Sequence, residues 1–145
     1  MFFEIFKSEF VAITNEQGLS DYWSLMNDEE IKKASESKFV QIGSHGYFHN
    51  NLANVSIEEA SNEMRLSKNY LENLVQKEVN EIAYPDGSYS SSVINEAETL
   101  GFKHQLALEY LFHEDKLDSR IEHRFGMYPV YSDINQIFSI SNMLL

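Results

Sequence analysis

At 145 residues the chain is one domain by length, long enough to bury a hydrophobic core unaided. It has no cysteine, which rules out disulfides and thiolate metal ligands, and its 23 acidic against 11 basic side chains leave a formal charge of -12, the wrong sign for gripping nucleic-acid phosphates. The N-terminal run Met-Phe-Phe-Glu-Ile-Phe-Lys lacks the basic start and long apolar middle of a signal peptide, and no apolar stretch reaches membrane-spanning length, so the expectation is a cytoplasmic protein without membrane insertion.

In chain order, residues 2–6 read as a strand and residues 11–13 as a weaker extended piece. Asn27-Asp28-Glu29-Glu30 opens a helix to about Ser37, with Asn27 as cap and Glu30 three residues on. Phe39-Val40-Gln41-Ile42 reads as the next strand, running into Gly43-Ser44-His45-Gly46-Tyr47-Phe48-His49. Ser56-Ile57-Glu58-Glu59 is a capping box before Ile57, Ala60, Met64, Leu71 and Leu74, which fall on one face of a helix to about Lys77. A short strand over 81–84, a helix over 91–100 stopped by Gly101, and a strand over 103–108 follow. Residues 122–127 read as extended and 132–142 as a capped helix. Apolar segments alternating with helical ones predict an α/β fold of mostly parallel strands covered by helices, in a single domain over residues 1–145.

Two segments carry the chemistry. His45 and His49 follow a buried-type strand, and a short turn can bring imidazoles four residues apart onto one zinc-like divalent ion. Tyr84-Pro85-Asp86-Gly87 has Pro and Gly where a type I turn takes them, directly after a strand, so the Asp86 N–H can point at developing negative charge. Both turns leave the same end of their strands and are expected to line one cleft.

These residues resemble the polysaccharide deacetylase family, the NodB-homology or carbohydrate esterase 4 group. Ile42-Gly43-Ser44-His45-Gly46-Tyr47-Phe48-His49, with Leu52, is similar to the family's His-Ser/Thr-x-x-His motif, with Gly46 where a Ser or Thr hydroxyl supports the loop. Ile82-Ala83-Tyr84-Pro85-Asp86-Gly87 and the later Leu100-Gly101-Phe102 are similar to its Phe-Ala-Tyr-Pro-x-Gly motif and the helix that follows, and Arg124-Phe125-Gly126 to its late Arg-containing strand. The resemblance implies an irregular (β/α) barrel of mostly parallel strands. It implies metal-dependent hydrolysis of the acetamide of an N-acetylated sugar or polysaccharide, with zinc the usual ion, His45 and His49 as metal ligands, and Tyr84, Pro85 and Gly87 on the substrate side. The Asp86 N–H would hold the oxyanion. Leu111-Phe112-His113 and Ile121-Glu122-His123 both match the family's late proton-donating histidine loosely; His123 is the candidate.

The chain departs from the family in one respect: it contains no Asp-Asp pair, where the family's first motif supplies a catalytic base and a third metal ligand. Met1-Phe2-Phe3 resembles the family's second strand, so the expectation is a barrel incomplete at its N-terminus, with Asp86 as substitute base or ligand and bared strand edges favouring a homo-oligomer. Three readings follow: a metal-dependent deacetylase, a catalytically silent carbohydrate-binding or scaffold homologue, and an unrelated α/β domain whose histidines only pack.

Overall fold

The computed structural model describes residues 25–124; the expected elements over 2–6, 11–13 and 132–142 lie outside them. Local chemistry sets the helices. Helix α1 (Asp28–Ser35) starts at Asn27, whose side chain accepts from the Glu30 N–H while the Glu30 carboxylate accepts from the Asn27 N–H. Helix α2 (Ile57–Val75) starts with the same reciprocal pair from Ser56 and Glu59, each cap contributing about 1 kcal/mol. It stops at Val75 rather than Lys77 because Gln76 turns left-handed, φ 55°, with its N–H on the Glu72 carbonyl. Helix α3 (Ser91–Thr99) is capped by Ser90 and closed by Gly101 at φ +89°.

Strands β1 (Glu81–Ala83), β2 (His104–Ala107) and β3 (Ile121–His123) form one parallel sheet in that order, with Ala83 opposite Leu106 and Ala107 opposite His123. All of them therefore end on the same side of the sheet, where parallel α/β folds place their loops. One face is apolar and buried through Ile82, Ala107 and Ile121, packed with Leu52, Ala60, Met64, Val93, Ala97 and Phe102. The polar exception is Gln105, which is satisfied by Tyr84 Oη and by the Ile94 carbonyl of α3 overhead. Burial alternates along the strands, with His104 and Glu122 exposed on the opposite face, so these strands are not covered on both sides by the described residues as their apolar runs predicted.

The expected strand over 39–42 is a correction. Phe39 lies in a turn, 86% exposed, and among the described residues the segment's backbone pairs with the sheet at one bridge, Ser44, whose N–H donates to Glu81 O at 2.8 Å while Ser44 O accepts from Ala83 at 2.8 Å. Carbonyls along a strand alternate sides, so after Glu81 O the next acceptor available to the 39–42 segment would be Val79 O, which instead accepts from Lys68 Nζ. Ile57, expected on the buried face of α2, is half-exposed at the helix's first turn.

Candidate metal centre

Ser44, bridged to β1, delivers His45 beside the end of that strand. The His45 Nδ1 lies 2.7 Å from the Ala83 carbonyl. A carbonyl only accepts, so Nδ1 carries the proton and the Nε2 lone pair is left for a metal, the arrangement in which a backbone acceptor fixes the orientation of a ligating imidazole. His49 meets it edge to face, ring centroids 4.8 Å apart and planes at 78°. Both histidines are exposed. The backbone bends between them at Gly46, φ +80°, and again at His49, which is left-handed at φ 59°.

The proline turn adjoins this pair. A Cβ on Gly46 would lie 3.3 Å from Pro85 Cγ, and Ala83, which holds His45, is two residues before Pro85. The turn closes through Gly87 N–H to Tyr84 O at 2.9 Å and Ser88 N–H to Pro85 O at 3.0 Å. It is not the type I turn expected: Asp86 sits at φ 55°, ψ 13°, the left-handed third position of a type II turn, which an aspartate tolerates better than most residues. Two residues singled out from the sequence, His49 and Asp86, thus both carry positive φ without being glycine, a strain that collects at functional sites. Asp86 is exposed, whereas Tyr84, Pro85 and Gly87 are buried. Burial pushes the Tyr84 hydroxyl well above its ordinary pKa.

His123 is not brought to the imidazole pair. It ends β3, three strand spacings or about 14 Å from the Ser44 segment, with its ring stacked on Tyr110 at 5.8 Å. Arg124 follows it and does reach back: its Nη2 donates to Tyr84 O at 3.1 Å, and its Nε is buried with no partner among the described residues.

One residue of the site escaped the sequence reading. Glu63 on α2 is 3% exposed, and its Oε2 accepts from the Tyr47 and Phe48 N–H groups at 2.7 and 2.9 Å while Oε1 accepts from Asn50 Nδ2 at 2.5 Å. A Cβ on Gly46 would stand 3.1 Å from its Oε2. Its signal was a lone carboxylate within the buried run of Ala60, Met64 and Ser67.

As for a metal, the donor set fits in part. Two imidazoles, one with its tautomer fixed, suit a zinc-like ion, but the described residues contain no group of three His, Cys, Asp or Glu able to hold one.

The sequence model of the family described as Polysaccharide deacetylase matches residues 9–104, well over half of the chain. The chain belongs to the polysaccharide deacetylase family. Its fold is similar to that of the Streptococcus pyogenes deacetylase PplD, solved in complex with acetate (TM-score 0.68, 22% identity, 83% of this chain and 54% of that one). It is also similar to a de-N-acetylase from Aggregatibacter actinomycetemcomitans (TM-score 0.64, 14% identity, 81% of this chain and 53% of that one). A CE4 family pseudoenzyme from Bacillus anthracis is a further likeness (TM-score 0.51, 22% identity, 55% of this chain and 28% of that one). The chain spans about half the length of the first of these structures. A search of curated proteins found no match. The expected α/β class with parallel strands agrees with these folds; among the described residues the sheet has three strands and stays open.

Proposed function

We propose that the protein is a metal-dependent deacetylase of N-acetylated saccharides, with His45 and His49 as metal ligands. The observation that carries this reading is the His45–His49 ring pair, with His45 Nδ1 tied to Ala83 O, at the edge of the proline turn. A bound divalent ion of the zinc type supplies polarisation of the acetamide carbonyl and a more acidic water. The protein residues do the rest. The backbone N–H of Asp86 is free of the turn's own hydrogen bonds, which come from Gly87 and Ser88, and donates to the oxygen on which negative charge gathers. The Asp86 carboxylate takes a proton from water as the water oxygen bonds to the acetyl carbon, and the C–N bond breaks to give acetate and an amine, to which the Asp86 carboxyl returns that proton. The neighbouring structures, a deacetylase in complex with acetate and a de-N-acetylase, support this substrate chemistry.

A second reading, a homologue that binds saccharide without turnover, is favoured by the lack of a third metal-binding side chain grouped with the histidines among the described residues. Zinc titration together with acetate release from N-acetylated oligosaccharides separates the two. The first reading expects zinc binding and acetate release, both abolished by His45→Ala and His49→Ala. Zinc affinity that survives both substitutions overturns it, and saccharide binding without acetate release selects the second.

A further inference from the structure

Among the described residues the histidine loop is held to the sheet by the Ser44 bridge and the His45–Ala83 bond, yet its two left-handed residues and its two facing rings require a defined path. The geometry points to α2 as the clamp that supplies it, and we infer that Glu63 is a positioning residue for the metal-binding pair. This rests on the reading of His45 and His49 as ligands. Two residues one helical turn apart on α2 grip the loop at either side of the imidazoles. Ser67 Oγ lies 2.6 Å from Ser44 Oγ, just before His45, and Ser44 Oγ in turn accepts from the Gly46 N–H at 3.3 Å. Glu63 takes the Tyr47 and Phe48 N–H groups between the histidines and the Asn50 side chain just after them.

A carboxylate enclosed to this degree is costly unless its lone pairs are satisfied, and here loop donors satisfy them. Its two oxygens are thereby committed to the loop, which makes Glu63 a holder of the ligands and not itself one. Packing agrees: a Cβ on Gly46 would stand 3.1 Å from Glu63 Oε2, so the glycine and the carboxylate fit as a pair. With the Tyr47 and Phe48 amides pinned, the chain between His45 and His49 has one path. The His49 backbone, at φ 59°, is held where its ring faces His45.

The test uses the whole chain, Co(II) as probe, and amide hydrogen exchange on the metal-free protein. Glu63→Gln keeps the shape of the side chain but sets an N–H group among donors. It is expected to weaken Co(II) binding about tenfold to a hundredfold, alter the visible absorption of the Co(II) complex and speed exchange of the Tyr47 and Phe48 amides. Met64→Ala, a neighbouring buried substitution on α2 that touches none of these bonds, lowers stability while leaving Co(II) affinity unchanged. Should Glu63→Gln fail to fold, Asn50→Ala at an exposed position removes one of the donors and should weaken Co(II) binding at least about threefold. Unchanged Co(II) affinity in Glu63→Gln, or in Asn50→Ala if only that variant folds, with binding lost in His45→Ala, overturns the role of Glu63 and leaves the ligand assignment standing. Equal loss of affinity in Met64→Ala overturns it as well, by reducing Glu63 to a stability effect. Co(II) binding that is absent from the wild type, or the same in His45→Ala, removes both.

Discussion

Gly87 closes the proline turn beneath Leu108, and replacing it with alanine should be among the more damaging single-methyl changes in the protein. Gly87 stands at φ +66°, and an added Cβ would lie 2.7 Å from Leu108 Cβ, 2.9 Å from its Cγ and 3.0 Å from its backbone N. The left-handed backbone costs an alanine about 1–2 kcal/mol, overpacking against Leu108 adds about 1–3 kcal/mol, and the stiffer unfolded chain returns about 0.5–1 kcal/mol, for a net loss of about 3 kcal/mol. Gly101 provides the control. It is equally left-handed, φ +89°, but its Cβ would meet only the flexible end of Lys68, Cε at 3.8 Å and Nζ at 3.9 Å. Gly101→Ala therefore carries the backbone cost alone, about 1 kcal/mol. Urea denaturation followed by circular dichroism reads both. A Gly87→Ala variant no less stable than Gly101→Ala refutes the reasoning, because the contact with Leu108 is the only difference the two positions were assigned.

The other predictions concern Asp86 and Tyr89. Asp86→Gly relieves the left-handed aspartate and should stabilise the fold by up to about 1 kcal/mol in the same denaturation assay, whereas Asp86→Asn keeps the turn and its N–H but not the base. Asp86→Asn should lower acetate release at least about a hundredfold at unchanged melting temperature; an unchanged rate would show that the carboxylate takes no proton. Burial, with the hydrogen bond to Asp115, pushes the Tyr89 hydroxyl up to about 12 from 10.0. Because the folded form holds this proton more tightly, its contribution of about 3 kcal/mol is complete below pH 10.0 and is lost as pH rises towards 12. Tyr89→Phe should lack that part of the alkaline decline, and superimposable stability profiles for the two proteins over this window would contradict it.

What could be read from the sequence was whatever is decided within a few residues. Asn27 with Glu30, Ser56 with Glu59, and Gly101 mark helix ends through bonds and backbone preferences that span three or four positions, and α1, α2 and α3 lie where those signals put them. The proximity of the two turns was expected from parallel strands ending together, and it holds although the first of those strands is reduced to the parallel bridge at Ser44. Contacts between distant segments were not legible. His45 Nδ1 meets Ala83 O across 38 positions, and the loop amides meet Glu63 across 15 and 16, so neither the tautomer nor the clamp has a local signature. Nor does Tyr84-Pro85-Asp86-Gly87 distinguish type I from type II, since Pro suits the second position of both and the choice is made at Asp86. The apolar run before Gly43 promised a strand, but pairing depends on the partner's free carbonyls, and that of Val79, next in the alternation after Glu81, is taken by Lys68 from α2.

The single bridge at Ser44 also decides how this part of the molecule opens. Among the described residues, 45–50 are held by a handful of bonds to Ala83 and α2, and giving these up leaves the apolar layer around Met64, Ile82 and Phe102 shut. Excursions of the histidine loop are therefore sub-global events with a free energy of their own, invisible to a melting curve. A protein that melts normally can still spend part of its time with its two imidazoles apart.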